Sequence, residues 1–71
     1  MSNVYVLQKQ DTFVAVDGSG TVGFGFSAEE AKAHELAKPI SIGQGIFTSF
    51  ATWSWVPQSP DETRPFFLGA A

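Results

Sequence analysis

Thr21-Val22-Gly23-Phe24-Gly25-Phe26-Ser27-Ala28-Glu29-Glu30 decides the fold, because its side-chain pattern changes from a two-residue to a helical period within ten positions. Val22, Phe24 and Phe26 fall on one face of an extended segment, while Gly23 and Gly25 leave the other face bare. Glycine weakens a strand interior, and its usual compensation is the close approach of another backbone. Ser27 then opens a capping box: its hydroxyl serves the Glu30 amide and the Glu30 carboxylate reaches back. Glu29 and Glu30 suit the positive end of a helix dipole, and Phe26 stands where it can staple onto Ala31. The helix is predicted to stop near Ala37, since Lys38 suits its negative end and Pro39 cannot continue it. Ala28, Ala31, Ala33, Leu36 and Ala37 are its apolar positions, one large side chain on a surface otherwise smooth enough to lie close on a sheet.

Towards the N-terminus, Val4 to Leu7 and Thr12 to Val16 read as two strands of a hairpin, joined by a tight polar connection, Gln8-Lys9-Gln10-Asp11. Asp17-Gly18-Ser19-Gly20 is the next turn signal, because glycine admits positive φ. Towards the C-terminus come Ile40-Ser41-Ile42, then Gly43-Gln44-Gly45, then a long run from Ile46 to Val56 that Pro57 ends. Read as one strand, that run places Phe47, Ala51, Trp53 and Trp55 on one face and Ile46, Phe50 and Val56 on the other. A sheet of four or five strands is roughly 19 to 24 Å wide, whereas a helix covers a band about 10 Å across. One short helix therefore cannot cover both faces.

The expected architecture is α+β, an antiparallel sheet with one crossover helix in the order β-β-β-α-β(-β) over residues 1–57, followed by a proline-containing tail, 58–71. In the tail, Ser59-Pro60-Asp61-Glu62 repeats the cap pattern and predicts a single helical turn before Pro65. Phe66, Phe67 and Leu68 are consecutive apolar residues that must dock, either back over the uncovered sheet or onto a neighbouring chain.

At 71 residues the chain makes one domain that buries only roughly 60% of its unfolded surface. Without cysteine, and with His34 as its one histidine, it has neither a disulfide nor a zinc site to offset a small core. Packing or oligomerisation must do so. The net charge is −3, and Lys9, Lys32, Lys38 and Arg64 are too few and too scattered to track phosphates, so nucleic acid is not an expected partner. No basic n-region precedes the short apolar run at the N-terminus and no run approaches a membrane span; the default is a soluble, cytoplasmic protein without membrane partners.

Gly18-Ser19-Gly20-Thr21-Val22-Gly23 has the G-x-G-x-x-G spacing, but in a dinucleotide-binding fold the third glycine opens a helix directly, and here strand residues follow it. A glycine-rich hairpin is the expectation. Glu30 and His34 have the spacing of a helical acid–base pair, yet a solvated histidine on an exposed face is the better reading. No nucleophile elbow and no metal-ligand spacing occur, so the sequence assigns no catalytic residue, metal or cofactor.

Seven Phe, two Trp and one Tyr exceed what so short a chain easily covers, and such a surplus is usually spent on another surface. The expected function is a non-enzymatic protein-interaction module or inhibitor acting by occlusion, dimeric with itself or bound to a protein partner. The candidate partner-binding residues are Phe47, Trp53, Trp55, Phe66, Phe67 and Leu68. A structural self-assembly unit, such as a small virion or scaffold component, is the alternative, and an acidic nucleic-acid mimic carried by Glu29/Glu30 and Asp61/Glu62 a lesser one. A short chain without a catalytic signature also suits an accessory protein of a phage or mobile element.

The cap is directly testable. Ser27→Ala should lower stability by about 1 kcal/mol in urea unfolding, the usual loss for an N-cap hydroxyl, and a change below a few tenths would place the helix start elsewhere.

Overall fold

The ten-residue switch at Thr21–Glu30 is realised in a computed structural model that describes residues 4–65 and Leu68, apart from the side chains of Gln44, Ile46 and Phe47. Strands β1 (Val4–Lys9), β2 (Thr12–Asp17) and β3 (Thr21–Gly25) form an antiparallel meander, and helix α1 (Ala28–Ala37) crosses over it. Strands β4 (Ile40–Ser41) and β5 (Ser54–Val56) complete one sheet of order β4-β3-β2-β1-β5. The α+β architecture predicted from the pattern is the one the chain adopts.

α1 starts where the cap signal puts it. Ser27 is extended (φ −151°, ψ 165°), and its Oγ accepts from the Glu30 N–H at 3.1 Å. The reciprocal arm differs from the expected box: Glu30 Oε1 accepts from the N–H of Phe26, one residue earlier, at 3.0 Å. Phe26 is 77% exposed rather than stapled, because Ala31 is already fully buried against the sheet. The helix closes at Lys38, whose N–H donates to His34 O at 2.7 Å.

Register and alternation assign the two faces. Val6, Phe13, Ala15, Gly23, Gly25 and Val56 look towards α1. Leu7, Val14, Val16, Val22, Phe24 and Trp55 look the other way. The bare face of β3 is the seat of the helix: a side chain at Gly23 would collide with the backbone nitrogen of Glu35, and one at Gly25 would lie 2.7 Å from Ala31 N. This close seating turns Glu35 inward, where it is 8% exposed and accepts from Thr21 Oγ1 at 3.0 Å. Leu36, the one large apolar residue of the helix, is left 85% exposed.

The opposite face holds the larger core. Leu7, Val14, Val16 and Val22 are fully buried with Phe50 on top of them, and Tyr5, Ile42, Trp53, Trp55 and Leu68 pack around this cluster. Each buried aliphatic contributes roughly 1.5–3 kcal/mol, so these four outweigh any single cap or turn. Their cover is not the long strand that the alternation from Ile46 to Val56 predicts. Gly43–Gly45 forms a 3-10 turn, Ile46–Ser49 a single α-helical turn (α2), and extended structure resumes only at Ser54. The reason is topological. After β4 the chain must cross beneath the whole sheet, from one edge to the other, to pair with β1, and a straight strand cannot do so.

Two glycines fix where this crossing starts. Gly20, at φ 99° in the β2–β3 turn, lies so close to Gly43 that a side chain on it would sit 2.9 Å from Gly43 Cα. Its carbonyl accepts from the N–H groups of both Ile42 (2.8 Å) and Gly43 (3.0 Å).

Gly23→Ala should lower stability by about 3 kcal/mol, the upper range for forced overpacking, because the obstacle is backbone and cannot rotate away. Gly18→Ala, whose added methyl meets nothing within 4 Å, should stay within about 0.5 kcal/mol in the same thermal melts. Equal effects would mean that α1 does not rest on β3.

Candidate interaction surfaces

Of the residues singled out as partner-binding candidates, three lie among the described side chains, and all three belong partly to the core. Trp53 precedes β5 instead of lying within a long strand, and its ring meets Phe50 edge-on at a centroid distance of 5.3 Å. Phe24 completes a trio at 6.3 Å from Phe50 and 6.5 Å from Trp53. Phe50 therefore joins Trp53, although strand alternation puts the two on opposite faces; the turn at residues 50–53 brings them together. Trp55, opposite Leu7 on β5, is half-buried, as is Trp53. Leu68 packs against the same cluster, and its N–H donates to Pro65 O at 3.2 Å. The Phe47 side chain, Phe66 and Phe67 lie outside the described residues.

Trp55 is held by the tail. Its indole N–H donates to Glu62 Oε1 at 3.1 Å, and the same oxygen accepts from the Gln58 N–H at 3.2 Å. Glu62 is delivered by a turn in which its own N–H donates to Ser59 O at 3.2 Å, one hydrogen-bonded turn where the cap pattern suggested a helical one. Beside it, Tyr5, Ser59, Asp61, Glu62 and Thr63 line an open cleft of about 290 Å³. Nothing in the sequence marks Glu62 as the partner of Trp55. The bond depends on β5 placing the indole at the sheet edge, and it satisfies the polar end of an otherwise apolar ring.

Among the described residues the exposed large apolar side chains are Phe26 (77%), Leu36 (85%), Ile40 (44%) and Phe24 (39%). Three of them gather at one sheet edge. Ile40 pairs with Val22, which makes it the diagonal neighbour of Phe24, and Phe26 follows directly after β3.

His34 is half-buried at this edge instead of standing free on a solvated face. Its Nδ1 accepts from the Phe24 N–H at 3.1 Å, just as Glu30 accepts from the Phe26 N–H. The acid–base spacing of Glu30 and His34 thus serves two strand amides, one helical turn apart. The glycine-rich sequence is a hairpin turn, as expected. The Ser19 N–H donates to Asp17 Oδ1 at 2.8 Å and the Gly20 N–H to Asp17 O at 2.9 Å, so both amides are already committed. Among the described residues no group of three His, Cys, Asp or Glu side chains could hold a metal ion, and no helix is long and apolar enough to cross a membrane.

Compared with known proteins, the chain matches no family model, no curated protein and no solved structure.

Glu62→Ala removes the acceptor of both bonds and should cost about 1 kcal/mol, since Glu62 is only half-buried and water replaces part of the loss. The accompanying rise in acrylamide quenching of tryptophan fluorescence should be absent in Asp61→Ala. Equal quenching in the two variants would remove Glu62 from the role of clamp.

Proposed function

We propose that this protein is a non-enzymatic protein-interaction module, working by occlusion of a larger partner or by association with its own copies. The observation that carries the reading is the exposure of Phe24, Phe26, Leu36 and Ile40 in a chain whose core already accommodates both tryptophans. Phe26, at 77% exposure, is little used by the isolated fold, and its gathering with Phe24 and Ile40 at one edge is the usual mark of an interface. The interaction surface is thereby centred on the β3–β4 edge, while Trp53 and Trp55 contribute only their outward sides. The non-enzymatic character is supported by the engagement of the one histidine: Glu30 and His34, the best acid–base pair in the chain, are both hydrogen-bonded to backbone amides. The small size and single domain suit an accessory protein, of the kind phages and mobile elements encode, that blocks a host surface.

A tagged protein should capture one stoichiometric foreign protein from host lysate. Phe26→Lys should abolish that capture while circular dichroism and the melting temperature stay within the change expected for surface substitutions, about 0.5 kcal/mol. Absence of any captured protein, together with a strictly monomeric parent at all concentrations, would exclude the reading.

A further inference from the structure

The pairing of β3 with β4 ends at Val22–Ile40. Had β4 continued, Lys38 would stand opposite Phe24, but its N–H is spent on His34 O at the end of α1, and Pro39 beside it has none to give. The Phe24 N–H finds its acceptor in a side chain instead, His34 Nδ1, at 3.1 Å. A backbone amide can only donate, so Nδ1 presents its lone pair and the one N–H of the neutral ring is on Nε2. The bond therefore exists in one charge state of the imidazole. Glu30, one turn earlier on the same side of α1, uses Oε1 for the Phe26 N–H in the bend after β3.

We propose that His34 is a proton-operated latch on the edge of β3: the neutral ring closes the Phe24 amide, and a proton taken up at Nδ1 opens it. The inference goes beyond the interaction reading and does not depend on it. A protonated Nδ1 is a donor facing a donor, and the ring must leave Phe24. Three features let it leave without loss of the fold. His34 is half-buried and Phe24 exposed, so water hydrates both the ring and the freed amide. The ring belongs to the last turn of α1, where a positive charge is favourable. The Glu30 carboxylate, four residues earlier, stands within reach of an imidazolium. The other charges on α1 near it are Lys38, one turn later, and Glu35, which is turned inward to Thr21. β3 and β4 carry no titratable side chain, and the one on β2 is Asp17, at the Gly20 end and engaged with the Ser19 N–H. Tyr5 and Lys9 of β1 share the face of Leu7, away from α1.

NMR of the parent from about pH 8 to about pH 5, the interval in which imidazoles change charge, follows the His34 ring protons and the Phe24 amide together. The Phe24 amide shift should move in step with the ring. Its protection against exchange, corrected for the intrinsic pH dependence of exchange, should fall about fivefold or more, the loss of one hydrogen bond. His34→Asn keeps an acceptor near the position of Nδ1 but takes up no proton, and should hold that protection constant. His34→Ala should leave Phe24 unprotected throughout. A ring that does not titrate in this interval, a Phe24 amide that ignores its titration, or a folded His34→Asn with the parent's pH response would overturn the proposal. Should a variant fail to fold, the coupling of ring and amide in the parent decides alone.

Discussion

The contact between α1 and β3 at Gly23 and Gly25 is the constraint on which the rest of the molecule depends. With no side chain between them, helix and strand approach until backbone meets backbone, and the seat admits only small residues such as Ala31. A helix placed so close over β3 lies near one edge of a five-stranded sheet, where Glu30 and His34 reach the strand amides. It also leaves the bulky residues of β1, β2 and β3 to be covered from below. Hence the large core is on the far side, where Ile42, Phe50, Trp53 and Leu68, from segments that are individually short and irregular, close over it beside Trp55 of β5.

Much of this was legible in the sequence because it is local. The bare face of β3, the serine cap, the proline stop and the glycine turns each involve a few consecutive residues and a steric rule. The segment from Ile46 to Val56 was not legible, because its apparent alternation is an accident of composition that tertiary topology overrides. Phe50 and Trp53 are three apart and share a cluster through a turn, a relation that a period of two hides. The inward Glu35 and outward Leu36 are a second case. Hydrophobicity alone ranks Leu36 for burial, but the rotation of α1 is set by Ala31 over the glycines, and Glu35 follows one turn later with Thr21 to satisfy it. Of the candidate site, the aromatic surplus could be read, but not its division between core and surface, since burial depends on which strands are neighbours.

That division bears on function. An aromatic residue in a chain this small either completes the core or waits for a partner, and half-buried Trp53 and Trp55 do the first with part of their surface. Their polar needs are met within the chain, as the indole of Trp55 is by Glu62. Phe26 and Leu36 have no comparable structural employment, and surface so exposed is inexpensive to desolvate when another protein arrives.

The doubly used carbonyl of Gly20 gives the fold its mechanical unity. It ties the tip of the β2–β3 hairpin to Ile42 and Gly43, the start of the segment that roofs the large core. Opening that hairpin tip would release the roof, and lifting the roof would wet the strands of the hairpin. The turn and the roof are thereby coupled, as small single domains generally require if they are to unfold in one cooperative step.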